Sequence, residues 1–366
     1  MKLKTKVLVV GGGPAGATVA RSLAECGVEV ILLERNLSFK KPCGGGVPFS
    51  AFEELRIPKA VIEREVKCIR IVSPMGERLD IELDEGSLAI VERGKFDSVL
   101  RTEAEKRGAE IVEGDFIGLI TGGKGYQIVA NVKGEKTEIC AEYVVAADGV
   151  NSNVRSALGI KPYKSFITVS EKIRGVKTDS CEFWFGSSHA PGSYSWVFPT
   201  TEGVSAGTGS SEPGKTIALL KRFKDKRGIT QEGIRRIYKI PIWKGDLYNK
   251  NNVIFAGDSA GQVMPLTYEG IYYAMKAGEF AARAIMEGNA SNYKKMWDAA
   301  FHKRFYFMDK LRKYFFKNDL SAEKFVAFYR RTEVQEASIR LWLRKDSGKE
   351  SIQRYIKIFR KFLCSL

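Results

Sequence analysis

Histidine is nearly absent: the 366 residues hold two, His189 and His302. A histidine-built metal site or a Ser-His-Asp nucleophile is therefore not expected, since each needs imidazoles placed among other ligands or partners. The six cysteines are scattered, with no CxxC pair and no metal-like Cys/His spacing. Neither a zinc site nor a disulfide framework is expected, and the pattern fits a reducing, cytoplasmic compartment. No apolar run approaches the roughly 20 residues that a membrane-spanning helix needs. The chain enters a strand within its first residues, so no targeting segment is expected at its start. Internal repeats and low-complexity linkers are also missing.

What is present is an ordinary globular composition, long enough for about two domains, with a formal charge of +16. The charge is uneven. Residues 290–366 carry 19 Lys and Arg against 8 Asp and Glu, a net +11. Such a surplus is either a solvated basic face or a surface for anionic membrane or nucleic acid. No nucleic-acid motif accompanies it, so no nucleic-acid partner is expected.

The chain is organised around its first 35 residues. An apolar strand, Lys6-Val-Leu-Val-Val10, runs into Gly11-Gly-Gly-Pro-Ala-Gly16, then a helix to Cys26, then Val28-Glu-Val-Ile-Leu-Leu-Glu34. Gly11 permits the tight turn, Gly13 lets the backbone approach a pyrophosphate, and Gly16 lets helix and sheet pack closely. The helix N-terminus faces the phosphates. Glu34, followed by Arg35, ends the second strand where an acid can accept from a ribose. Glycine triplet, strand, helix, second strand and acid together specify a dinucleotide site.

Further along, Lys40 to Gly46 is a glycine-rich loop with one thiol, Cys43. Residues 49–63 read as helical, 66–91 as strands, and Val91 to about Arg107 as an entry into a helix. Three strands between Glu110 and Cys140 form a β-meander. Val144-Val-Ala-Ala-Asp148-Gly149 is a buried strand ending in an acid and a glycine. The alternating strands of 163–250 change the character to β-rich, with helices expected at 215–227 and 230–236. Asn252-Val-Ile-Phe-Ala-Gly257-Asp258 then returns to a buried strand, followed by a helix to Met286. From Tyr293 onward everything reads as helical. The expected fold is α/β: a Rossmann-type nucleotide domain (1–65, 92–162 and 251–290), an inserted β-rich domain (66–91 and 163–250), and a helical C-terminal region (291–366).

Asp148-Gly149 and Gly257-Asp258 each place a carboxylate and a permissive backbone at a strand's C-terminal end, where ligands bind in open α/β sheets. In this order, with the N-terminal turn, they resemble the hydroxylase-like FAD-dependent superfamily over residues 1–290. Within it the chain is most similar to the geranylgeranyl reductase family. Three segments carry the resemblance: Lys41-Pro42-Cys43-Gly44-Gly45-Gly46, Tyr194-Ser-Trp196-Val-Phe198-Pro199 with Gly207, and Pro265-Leu-Thr-Tyr268-Glu-Gly270. In the family's usual form a lysine follows the Phe-Pro; here Thr200 stands there.

The resemblance implies FAD as cofactor. It implies contacts at Ala15, Glu34, Cys43, Gly44, Gly46, Arg93, Asp258, Gly270 and Ile271. Gly11, Gly13, Gly16, Arg35, Asp148 and Gly149 complete the cofactor set. It further implies hydrogenation of isolated trisubstituted double bonds in a prenyl chain on a lipid, quinone or pigment precursor. Such an alkene is not polarised, so a proton donor must build tertiary cation character on one carbon while hydride adds to the other. Candidate donors are Cys43, Tyr268 or a water they hold; an ordinary thiol, with a pKa of about 8.5, is mostly protonated at neutral pH. Tyr194, Trp196 and Phe198 alternate along a strand and so share one face. They are either core or an apolar wall for a prenyl tail.

Two C-terminal stripes have helical spacing: Phe301, Phe305, Met308, Leu311 and Phe315, and then Ile352, Tyr355, Ile356, Phe359 and Leu363. The first reads as a helical cap. The second, opposite Arg354, Lys357, Arg360 and Lys361, reads as a basic amphipathic helix on an anionic membrane, at the cytoplasmic face. No second dinucleotide turn is visible, so the electron donor (NADPH, ferredoxin or another carrier) is external and open. Two other readings stand beside this one. An aromatic hydroxylase or halogenase would share the fold, but a halogenase is expected to carry WxWxIP where this chain has Tyr-x-Trp-x-Phe-Pro. A basic peripheral membrane or nucleic-acid-binding protein would keep the nucleotide fold only as scaffold.

Overall fold

A computed structural model describes residues 2–84, 86–122, 125–212, 214–343 and 353–359. The described chain divides into two compact units: residues 1–40, 94–165 and 240–305, and residues 41–93, 166–239 and 306–366. Residues 41–65, expected with the nucleotide fold, belong to the second unit, and the helical C-terminal region is shared between the two.

The first unit is built on a parallel sheet. Lys2–Val10 lies between Val30–Glu34 and Glu135–Ala146, with Glu110–Gly122 beyond the former and Val253–Phe255 beyond the latter. The order therefore reverses beside Lys2–Val10, which is the switch point where open α/β sheets bind ligands. These strands are near-continuous apolar runs; Val7, Leu8, Val9, Val144 and Val145 have no exposed surface. That is the pattern of a sheet covered on both faces. Gly125–Val132 closes an antiparallel meander with the extensions of Glu110–Gly122 and Glu135–Ala146. The helices Pro14–Glu25 and Ile271–Met286 touch at small residues. A Cβ on Gly278 would stand 2.7 Å from the Ala15 carbonyl oxygen, so only glycine permits that approach.

The second unit holds a seven-stranded sheet in the order Ile234–Pro241, Ser165–Arg174, Gly203–Ser210, Ser195–Pro199, Cys181–Trp184, Cys68–Val72, Arg78–Glu82. A smaller sheet pairs Gly46–Pro48 and Ile62–Val66 with Leu88–Val91. Helix Thr216–Arg227 packs Leu220 and Phe223 against Val169, Trp184 and Val197. Two expectations fail here. Residues 230–236 are not a helix: the chain forms the edge strand Ile234–Pro241. The reason is tertiary. Glu171 is fully buried and accepts from Lys224 at 2.8 Å and Arg235 at 2.7 Å, and these two cations offset the cost of burying its charge. Residues 49–63 are helical only at Ser50–Glu54 and a 3-10 turn at Lys59–Val61, interrupted by Pro58, which cannot continue a helix.

The first C-terminal stripe is core: Phe301, Phe305, Met308, Leu311 and Phe315 are all at most 2% exposed. In the second, Ile352 and Leu363 lie outside the described residues. Residues 353–359 are helical, and Tyr355 and Phe359 are buried. The Phe359 ring lies 4.5 Å from that of Phe328, and the Tyr355 hydroxyl 3.5 Å from that of Tyr329. Tyr355 and Phe359 are thus spent on the protein, not on a bilayer.

His189 is fully buried in the second unit. Its Nδ1 is 2.8 Å from Ser195 Oγ, which donates to Thr208 Oγ1 at 2.9 Å. Burial first, and then the Lys226 charge, lower its pKa to about 4. The folded chain thus refuses a proton that the unfolded chain accepts. Stability is present above pH 6.5 and falls as the pH drops toward 4, by about 3 kcal/mol in full. Urea unfolding at pH 7 and pH 5 should show an acid loss that His189→Gln reduces by about 2 kcal/mol. An identical loss in the variant would remove His189 as its cause.

Candidate functional site

In the first unit the strand ends converge. Gly11 has φ +102°, and a Cβ there would lie 2.4 Å from the Ala147 carbonyl oxygen, so no larger residue fits where the first strand meets the segment leading to Asp148. A Cβ on Gly16 would stand 1.9 Å from the Gly11 oxygen. Gly13 is different: nothing lies within 4 Å of its Cβ position. It precedes helix Pro14–Glu25 and gives it no side-chain cap, so the first helical amides take no capping side chain where an anion site would use them. Glu34 Oε2 accepts from the Gly12 amide at 2.5 Å and Oε1 from Asn36 at 3.0 Å. The acid expected for a ribose braces the turn in this structure.

Asp148 is half-buried, and desolvation of its carboxyl raises its pKa. Its Oδ2 accepts from the Val154 amide at 3.1 Å. Its Oδ1 is buried with no partner among the described residues. A buried carboxylate oxygen costs free energy unless something hydrogen-bonds it, so this atom points to a donor from a bound group. Asp258 sits in the 3-10 turn Gly257–Ala260. Gly270 adjoins it, with a Cβ position 3.9 Å from Asp258 Oδ1. Gly270 and Ile271 open helix Ile271–Met286, again without a side-chain cap. Tyr268, two residues earlier, holds φ +52°, a left-handed conformation unusual for a bulky residue.

Two arginines without a local signal in the chain fix these turns. Arg101 is 7% exposed and donates to the carbonyl oxygens of Gly12 at 3.1 Å and Leu37 at 2.7 Å. Arg155 is 5% exposed and donates to the Ser259 oxygen at 3.2 Å. It thereby ties the segment after Asp148-Gly149 to the turn that carries Asp258.

The second unit brings another set together. Gly45 accepts from the Val91 amide at 3.0 Å and holds φ +79°. A Cβ on Gly44 would be 2.7 Å from the Phe198 ring, and one on Gly46 3.2 Å from it. The loop is pinned between a strand and an aromatic ring, and Cys43 is presented half-buried at its start. Arg93 Nη1 lies 3.9 Å from Cys43 Sγ. Trp196 lies over Gly207 on the next strand, where a Cβ would come within 2.2 Å of the indole. Phe183, overlooked in the sequence, stacks edge-on with Tyr194 at 5.2 Å and Phe198 at 5.3 Å. Tyr194 and Phe198 therefore share a ring cluster with Phe183, and Trp196 stands opposite Phe183 in the strand register. Cys43 and Tyr268 fall in different units.

The sequence matches the FAD binding domain family over residues 4–287. It is 32% identical to a chloroplastic geranylgeranyl diphosphate reductase of Arabidopsis thaliana, over 97% of this chain and 84% of that one. This chain belongs to the geranylgeranyl reductase family. Its cofactor is FAD. A second member, a digeranylgeranylglycerophospholipid reductase of Methanosarcina acetivorans, is 32% identical over 80% of each chain. Among solved structures, a geranylgeranyl bacteriochlorophyll reductase-like protein of Thermoplasma acidophilum superposes with TM-score 0.85 at 24% identity, over 98% of this reductase-family chain and 100% of that one. Flavin-dependent halogenases share the fold at 15–18% identity, which shows the fold alone. The orphaned Asp148 oxygen and the open cradle at Gly13 fit a dinucleotide such as FAD.

Proposed function

We propose that this chain hydrogenates isolated C=C bonds of a geranylgeranyl or related prenyl chain carried on a lipid, quinone or pigment precursor. The first unit serves as the cofactor domain and the second as the substrate domain. Gly11, Gly13, Ala15 and Gly16 with Glu34 and Arg35 hold the ADP half of FAD. Asp148, Gly149, Asp258, Gly270 and Ile271 serve the rest, with Cys43, Gly44, Gly46 and Arg93 toward the flavin. When bound and reduced, FAD supplies a hydride.

The observation that carries the reading is a thiol on a pinned glycine loop beside an aromatic face: Phe198 closes on Gly44 and Gly46, and Phe183, Tyr194 and Phe198 form one cluster. The aromatic face binds an apolar tail, at roughly 0.8 kcal/mol per buried CH₂, and its rings favour positive charge developing near them. Cys43 donates the proton, with Tyr268 as the second candidate. Anaerobic incubation of dithionite-reduced enzyme with geranylgeranyl lipids should give products heavier by two hydrogens per reduced bond in the mass spectrum. Unchanged substrates with hydroxylated aromatics instead would favour the hydroxylase reading. The two relatives differ in head group, a diphosphate and a glycerophospholipid, and both belong in that assay. Electrons reach the flavin from an external donor, NADPH or ferredoxin or another carrier.

We place the enzyme in the cytoplasm, at the anionic membrane face that holds such substrates. Among the described residues no helix is long and apolar enough to cross a membrane. With Tyr355 and Phe359 turned inward, attraction rests on exposed cations such as Arg354 and Lys357, each contributing about 1 kcal/mol near an anionic bilayer. Sedimentation with anionic vesicles should be strong at low salt, lost at high salt, and weakened by Arg354→Glu with Lys357→Glu. Removing residues 351–366 is the poorer test, because it uncovers Phe328 and Tyr329. Equal binding to neutral vesicles would count against this placement.

A further inference from the structure

We infer that Arg93 holds the Cys43 sulfur and takes up the negative charge left there when the thiol gives its proton to the alkene. This rests on the proposed function and assigns Arg93 a second task beside its expected flavin contact. The geometry follows from register. Gly46 pairs with Ile90, and Gly45 accepts from Val91, so the loop's thiol is carried alongside the residue that follows that strand by two. Arg93, 6% exposed, opens the helix Arg93–Lys106 there, with Nη1 3.9 Å from Sγ. The Phe198 ring lies against Gly44 of the same loop.

Other charges stand on the packed elements, Lys95 and Asp97 on Arg93's own helix among them. Lys41 lies over the Tyr238 ring at 4.9 Å, Glu92 is 3.9 Å from Lys172, and Arg64 on the neighbouring strand is 3.7 Å from Asp179. Glu63 and Glu65 flank Arg64 on that strand. Strand Leu88–Val91 carries no charge, and neither does Ser195–Pro199.

In the step, the S–H bond breaks and the alkene's π pair forms a C–H bond with that proton. The adjacent carbon would take the hydride, a two-electron reduction for which bound, reduced FAD would be the source. The thiolate regains its proton from water. A guanidinium at this distance offers the sulfur a charged hydrogen-bond partner once the proton has left, and it does not supply the proton itself. Arg93 is a positioning residue.

The test uses FAD-saturated holoenzyme and reads Cys43 directly, by iodoacetamide alkylation at pH 7 with mass spectrometry of the Cys43 peptide. Arg93→Met should slow alkylation by about fivefold or more, and Arg93→Lys should restore most of it. Turnover should follow the same order. Arg93→Gln is the second neutral variant if methionine does not fold. Unchanged alkylation in the neutral variant overturns the inference, even if FAD affinity and turnover drop, since Arg93 then serves the cofactor alone. Full turnover in Cys43→Ala instead overturns the donor role proposed for the thiol, while alkylation still reports the Arg93 contact.

Discussion

Gly13→Val removes most of the bound FAD from a protein that still folds. Gly13 has φ −75° and ψ −173°, extended backbone that any residue adopts. Nothing lies within 4 Å of its Cβ position, so the apo-protein's stability should change by no more than about 0.5 kcal/mol. The same open space lies before the uncapped amides of helix Pro14–Glu25, and a branched side chain there competes with a pyrophosphate for it. FAD affinity should fall at least tenfold, about 1.4 kcal/mol, by fluorescence titration of the apo-protein. Gly11→Ala is the contrast. Its φ of +102° and its 2.4 Å approach to the Ala147 oxygen put the cost into the fold, on the order of 1–3 kcal/mol, so both melting temperature and FAD content drop. An unchanged FAD titration in Gly13→Val would mean that the dinucleotide does not pass over this turn.

Cys43→Ala should keep FAD and lose turnover by about a hundredfold or more, the range of a missing general acid. Alanine is tolerated locally because the loop is pinned by the Gly45–Val91 bond and by Phe198, not by the sulfur. Changing Cys26, Cys68 and Cys140 tests selectivity. Cys26 and Cys140 are exposed and Cys68 is half-buried, and alanine at each should alter little beyond stability. Tyr268→Phe removes the second candidate donor while keeping a side chain of the same shape at the left-handed position. If Cys43→Ala turns over as fast as the unmodified enzyme and Tyr268→Phe does not, the proton comes from the tyrosine. The readout is the saturated product in the anaerobic assay.

What the sequence determined by itself is local and steric. Gly11 and Gly16 were legible because a turn that tight excludes a Cβ within a few residues of chain, whatever lies farther away. The apolar strands that end in Glu34, Asp148 and Asp258 were legible because burial on both faces writes itself as a continuous hydrophobic run. Gly207 was named from resemblance, and its physical reason, the Trp196 ring lying over it, came only with strand register. The tertiary structure alone decided the rest. Arg101 and Arg155 bind carbonyls 89 and 104 residues away, and a buried arginine on a helix leaves no local signature. Residues 234–241 became a strand because buried Glu171 needs Arg235, a demand that arises 64 residues distant. Tyr355 and Phe359 repeat at a spacing that suits a bilayer and a protein core equally. Phe328 and Tyr329 settle the choice by packing against them, because amphipathic periodicity records that a face is buried and not what buries it.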